Sequence, residues 1–277
     1  MAEHGEPGET KEEEQQLEEE AHERSSPQGR VVYHAVLEEG EEELQRPTSA
    51  LFWSGLAAGL SMGFSLMAEG LLRSQLPDKP WRPLVVKFGY CLGFLIVVLG
   101  RQQLFTENTL TPILPLLTRR KWDVFVNVMR LWGVVLISNL IGAAAIGWVL
   151  VRSDVFEHDV RAAFLAIGHE ALQPGWGTIF IRGIFAGWLI ALMVWLLPFA
   201  EAARVHVIII LTYVVGLGKF SHIIAGAVDT FAVAAAGQTT WTHVLGHFTA
   251  PTLLGNILGG VTLVAALNHA QVASGRE

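Results

Sequence analysis

Gly218-Lys219-Phe220-Ser221-His222 interrupts an apolar run that otherwise extends from residue 205 to residue 236. Each flank is about half of the roughly 20 residues that a membrane-spanning helix needs. A cation and a histidine therefore fall near the middle of a bilayer. A cation at that depth costs about 2.5–3.5 kcal/mol even on a lenient insertion scale, so such residues are expected to face a bundle interior or an aqueous path. The stretch predicts a helix broken at mid-membrane, and the break is a candidate transport site.

Composition supports that setting. The chain has 277 residues, a mean hydropathy of +0.41 and 16 % charged residues, which defines an integral membrane protein. Charge is divided unevenly. Residues 1–46 hold fifteen Glu against four Lys or Arg, while the remainder carries a net +4. No basic stripe is present, so nucleic acid is not expected as a partner. The single cysteine, Cys91, lies in an apolar run and reads as packing, with no disulfide framework, metal-ligand spacing or cofactor motif around it. Residues 1–48 read as an acidic, disordered or loosely helical cytoplasmic tail, because the glutamate runs have few aromatic residues and no apolar period. No cleavable signal peptide is apparent. Residues 49–270 form the transmembrane unit, and residues 271–277 a short C-terminal tail.

Hydropathy divides that unit into six segments, roughly 49–72, 83–117, 124–151, 177–200, 205–236 and 248–269. The second and fifth are too long for one span. In the second, Arg101-Gln102-Gln103-Leu104-Phe105-Thr106-Glu107-Asn108 forms the interruption, and Asn108 or Thr109 is the expected cap of a new half-helix with Pro112 in its first turn. Ser138-Asn139-Leu140-Ile141-Gly142 matches Gly255-Asn256-Ile257-Leu258-Gly259 at an offset of 117, which would place Phe105 opposite His222. Three spans per half require opposite topologies. The prediction is an all-α integral membrane protein with an inverted repeat and two broken helices meeting near the midplane. Six spans put both termini on one side, and Thr118-Arg119-Arg120-Lys121 favours the cytoplasm weakly. The loop 152–176 is expected to hold a short interfacial helix.

Leu104-Phe105-Thr106-Glu107-Asn108 resembles the L-F-T-G-N motif of the formate/nitrite transporter family, and Lys219-Phe220-Ser221-His222 sits where that family carries G-F-E-H. The Asn139 and Asn256 motifs are similar to its third- and sixth-helix signatures. The resemblance covers about residues 49–270. It implies an aquaporin-like six-helix bundle assembled as a homopentamer in the inner membrane, with one pore per subunit. It further implies a lipid bilayer setting, a small monovalent anion such as formate, nitrite, hydrosulfide or lactate as substrate, and protons as a possible coupling partner. By motif match, Thr106 corresponds to the threonine of the mobile loop and His222 to the central pore histidine. Glu107 replaces the motif glycine, Ser221 the motif glutamate and Lys219 the preceding glycine, and Gly226 stands near a motif asparagine. These departures mark a divergent branch.

On these readings, half-helix N-termini with unpaired N–H groups form the anion site. A weak-acid anion takes a proton at or through His222 and crosses as a neutral species, with Phe105 and Phe220 as walls and Thr106 bonding the histidine or the anion. Lys219 is expected to pair with Glu107 across the two breaks, or else to attract the anion. Asn108, Asn139 and Asn256 are expected to be structural, satisfying backbone groups at the breaks. Glu69, Lys87, Arg101, Arg130, Arg182 and Asp229 read as span-end or inter-helix charges. An enzyme is not expected, since no nucleophile, base and orienting acid come together. The alternatives are a pore for a neutral or cationic solute, or a non-transporting scaffold acting through the acidic tail.

Overall fold

The computed structural model describes residues 29–274, and the runs Glu12–Glu14 and Glu18–Glu20 lie outside the described residues. Ten helices are used below. They are α1 (Gly29–Gln45), α2 (Thr48–Gln75), α3 (Arg82–Leu99), α4 (Ile113–Arg119), α5 (Trp122–Arg152), α6 (His158–Leu172), α7 (Trp176–Leu196), α8 (Arg204–Leu217), α9 (Ile223–Ala235) and the long last helix α10 (Trp241–Ser274). Among the described residues there is no strand. Five helices are long and apolar enough to cross a membrane, and α8 with α9 supplies a sixth, interrupted crossing.

Residues 29–45, read from sequence as part of a disordered or loosely helical tail, form a packed helix. Tyr33, Val36 and Gly40 recur at helical spacing and are buried, which gives the charged stretch one packed face. Tyr33 Oη lies 2.9 Å from Thr118 Oγ1 and 2.7 Å from His269 Nδ1, so α1 joins α4 to the last turns of α10. The last helix continues to Ser274, so residues 271–274 extend it. The half-helix after the first break is capped at Pro112 and starts at Ile113, where a cap at Asn108 or Thr109 was expected, and Glu107–Thr109 form a separate 3-10 turn. A helix capped at Asn108 would draw its first backbone bond from residue 112, and Pro112 has no N–H to give.

The halves are held by close helix pairs, α2 on α5 and α7 on α10. Gly59 rests on the backbone of Asn139, and Gly187 on that of Asn256; a methyl group at either glycine would overlap those atoms. The loop between α5 and α7 holds the expected short helix, α6, which packs against α2 and α9.

Candidate functional site

The two breaks are built alike. At the first, Arg101 adopts φ 49° and Gln102 N–H donates to Val97 O at 3.0 Å; at the second, Lys219 adopts φ 52° and Phe220 N–H donates to Val215 O at 3.0 Å. Both helices thus end through a left-handed residue with a six-to-one bond, which satisfies a carbonyl at membrane depth. An asparagine from a neighbouring helix then clamps each loop. Asn139 Nδ2 donates to Gln103 O at 2.9 Å and Gly55 O at 2.7 Å, while its Oδ1 accepts from Phe105 N–H at 2.9 Å. Asn256 Nδ2 donates to Ser221 O and Gly183 O, and its Oδ1 accepts from Ile223 N–H, all at 2.9 Å. In the loops the equivalence therefore places Leu104 opposite His222 and Phe105 opposite Ile223. The asparagine motifs have an offset of 117, but one residue fewer separates the second loop from its clamp. Asn108 also serves the break, with Nδ2 donating to Gln103 Oε1 at 2.9 Å and its carbonyl accepting from Trp132 Nε1 at 2.8 Å.

Thr106 and His222 meet where the loops face each other. Their Oγ1 and Nε2 are 2.8 Å apart, with the side chains at 0 % and 1 % exposure. On its other side the imidazole caps α9: Ile224 N–H and Ala225 N–H both donate to His222 Nδ1 at 3.2 Å. Ile223 N–H goes to Asn256 and Gly226 N–H to His222 O at 2.9 Å. All four leading N–H groups of α9 are thus occupied. This corrects the expectation of free donors at that half-helix, although the helix dipole still points at the site. It also fixes the tautomer. Nδ1 accepts, so Nε2 carries the hydrogen and donates to Thr106, leaving the threonine hydroxyl hydrogen for another acceptor.

Phe94 presents its ring to His222 edge-on, with centroids 4.9 Å apart. It was not singled out from the sequence, yet Lys87, Tyr90 and Phe94 lie on one face of α3 at helical spacing. Phe220 stacks on Phe185 at 5.2 Å and lines a cavity leading from His222 toward α6. Phe105 instead packs on Trp132 and is not among the cavity's lining residues. The cavity, about 70 Å³, is walled on its charged sides by Lys87, Glu170, Arg182, Lys219 and Asp229. Lys219 does not pair with Glu107. Its Nζ is 3.4 Å from Glu170 Oε2, and the other oxygen of Glu170 takes Arg73 at 2.7 Å. Burial alone would push the Glu170 carboxyl up, but the Arg73 hydrogen bond and charge, with Lys219, hold it below the ordinary range. Glu107 sits at the other break with Oε1 buried and unbonded, and Glu43 and Glu39 of α1 are its charged neighbours. Glu69 and Lys87 pair at 2.5 Å between α2 and α3. Arg130 donates to the carbonyls of Leu44 and Arg46, fastening α1.

Two broken helices in inverted repeats, enclosing a buried polar contact at the head of a cavity, define an aquaporin-like membrane channel or transporter. The sequence profile of the formate/nitrite transporter family matches residues 30–270, and the chain belongs to that family. Inner membrane protein YfdC of Escherichia coli K12 is 40 % identical over 242 residues, 87 % of this chain and 78 % of that protein. Formate-nitrite transporter 2 of Toxoplasma gondii is 28 % identical, covering 86 % of this chain and 54 % of that one. Among solved structures, a pentameric formate channel with formate bound superposes with a TM-score of 0.68 at 20 % identity, covering 82 % of this chain and 98 % of that one. An FNT family ion channel does so with 0.74 at 17 %, covering 87 % and 98 %.

Proposed function

We propose that the protein passes small monovalent weak-acid anions of the formate and nitrite kind, one pore per subunit, through the Thr106–His222 contact. The observation that carries this reading is the 2.8 Å bond between Thr106 Oγ1 and His222 Nε2, set between the two breaks and next to the cavity. The bond leaves the threonine hydroxyl hydrogen uncommitted. An anion arriving from the cavity meets that donor and the positive end of the α9 dipole, with Lys219 and Arg182 at the cavity wall to draw it in. Phe94 and Phe220 supply dry walls, so the hydrogen bond is made in a medium of low dielectric. Glu107 and the acidic face of α1 lie on the other side of the contact, where they oppose the retention of an anion. We also propose a homopentamer in the inner membrane with both termini in the cytoplasm. The pentamer follows the name of the formate channel of like fold, and the location follows that of the Escherichia coli relative.

Flux in proteoliposomes tests the reading. Purified protein is given formate, nitrite, acetate, lactate, hydrosulfide and chloride in turn. At least one of the weak-acid anions should enter, and chloride should not. Thr106→Val keeps the shape and removes the donor, so it should lower that flux at least tenfold, while Thr106→Ser should restore much of it. Correctly assembled protein that carries none of these anions, or a Thr106→Val variant with full flux, would overturn the assignment.

A further inference from the structure

His222 has no nitrogen free to take a proton. Nδ1 accepts two backbone N–H groups at the head of α9, and Nε2 carries the hydrogen bonded to Thr106. Protonating Nδ1 would bring a third donor against two N–H groups and undo the cap on the first turn of the half-helix. Yet a weak-acid anion that crosses as its neutral form must take a proton on the cavity side. The donor has to be another group lining the cavity.

The cavity offers few. Lys87 is tied to Glu69, and Glu170 holds both Arg73 and Lys219. Asp229 makes no hydrogen bond or ion pair among the described residues, although it lines the cavity. Its place is set by helix phase: His222, Gly226 and Asp229 stand at i, i+4 and i+7 along α9 and all three line the cavity. Gly226 puts no side chain between the imidazole and the carboxyl, and the Phe248 ring, another lining residue, lies against its Cα.

We propose that Asp229, rather than His222, is the residue that exchanges the proton with the transported anion. The inference rests on the anion-transport reading above. In the step, the O–H bond of the Asp229 carboxyl breaks and an O–H bond forms on the anion. The neutral acid moves on past Thr106 and His222, and the Asp229 carboxylate regains a proton from water in the cavity. No other reactant is needed.

The groups around Asp229 shape this exchange. Glu69 of α2 and Lys87 of α3 are its charged neighbours, with Tyr90 beside Lys87. Glu170 faces it from α6, Arg182 from α7 and Lys219 from the break, with Arg73 of α2 held on Glu170. Other titratable groups on packed elements are engaged elsewhere: His169 with Gln238, Arg152 with Ala235 O, His247 with the carbonyls of Leu172 and Pro174, Arg161 with Asp154, His158 with Asp159, and His243 stacked on His247. Asp229 is thus the carboxyl of this cavity with no fixed partner to hold its charge state.

The test uses full-length protein in proteoliposomes with formate as probe and an internal pH dye. Wild type should move protons with formate, and formate uptake should rise as the outer pH falls. Asp229→Asn should lower the proton-to-formate ratio at least fivefold and flatten the pH profile, and Asp229→Glu should restore both. His222→Asn, whose amide oxygen can still cap α9, should lower flux yet leave that ratio as in wild type. The proposal fails if Asp229→Asn keeps the wild-type ratio and pH profile, or if the ratio collapses in His222→Asn alone. Wild-type formate flux without proton movement would also overturn it, leaving anion transport intact, whereas absence of all anion flux would remove both. Infrared difference spectroscopy gives a readout independent of transport. A carboxyl C=O band that titrates and shifts on adding formate should vanish in Asp229→Asn, and its persistence there would refute the assignment.

Discussion

Replacing Asn256 by Ala should cost the fold about 3 kcal/mol, and the arithmetic can be taken from the clamp itself. The amide makes three bonds of 2.9 Å in a site with 0 % exposure. Truncation leaves Ile223 N–H and Ser221 O without partners, while Gly183 O lies within α7 and keeps its helical bond. Each stranded group costs about 1–3 kcal/mol in a dry interior, and the bonds of membrane helices fall toward the lower end, on the order of 0.6–2 kcal/mol. Two such groups and a small void sum to about 3 kcal/mol, roughly a hundredfold in the folding equilibrium. Asn139→Ala should match it within about 1 kcal/mol, because that side chain serves Phe105 N–H and Gln103 O in the same way. Asp at either position should be worse than Ala near neutral pH, since a carboxylate keeps the acceptor but faces two carbonyls. Equilibrium unfolding in mixed micelles at fixed protein concentration, followed by tryptophan fluorescence, gives the values. A loss below about 0.5 kcal/mol for Asn256→Ala, or a gap above about 2 kcal/mol between the two alanine variants, would refute the clamp as described.

The docking of α1 should depend on pH. Burial pushes the Glu43 carboxyl up to about 7 despite hydrogen bonds from Thr111 and Gln103, so between the ordinary 4.5 and 7 the docked helix holds a proton that a detached one would release. Docking is therefore strongest in acid and weakens as pH rises through 7, by about 1–2 kcal/mol once the partial exposure of this side chain is allowed for. Hydrogen exchange of the α1 amides should quicken over that range, and Glu43→Gln should remove the slope. Lys219→Ala should change stability by less than about 0.5 kcal/mol, because its pair with Glu170 is long and more than half of the lysine is exposed. The same variant should slow anion uptake severalfold at low ionic strength and much less at high salt; uptake unchanged at low salt would remove Lys219 from the pathway.

Much of the fold was legible because lipid leaves few choices. Six apolar runs, two of them too long and interrupted by polar residues, imply broken helices once every backbone group has to be satisfied inside the chain. What hydropathy could not supply was distance. Lys219 and Glu107 carry opposite charges at the two breaks, yet Glu170 on the short helix α6 lies nearer to the lysine, and nothing in the order of residues announces it. The helix α1 was hidden for another reason: its glutamates dominate the composition, while Tyr33, Val36 and Gly40 at one helical face are too few to raise the average. Asp229 was available in principle. It lies seven residues beyond His222 on a half-helix, two turns along the same face, and phase alone would have aimed both into one space.

The repeat also explains why the scaffold was easier to read than the site. The caps at Arg101 and Lys219, and the clamps of Asn139 and Asn256, perform one task twice, so each half vouches for the other. Chemistry sits where the halves differ. Opposite His222 stands Leu104, and the clamp that aligns Phe105 with Ile223 aligns Thr106 with Ile224 and Glu107 with Ala225. Two symmetric half-helix ends would offer an anion the same donors from both sides and hold it in place. Here one end is capped by its own histidine, the other carries a hydroxyl that the histidine orients, and a carboxyl lies on each side of the contact, Glu107 at one break and Asp229 along the cavity. Each departure gives an anion a reason to move on rather than stay, which is what passage asks of a site that must bind weakly enough to release.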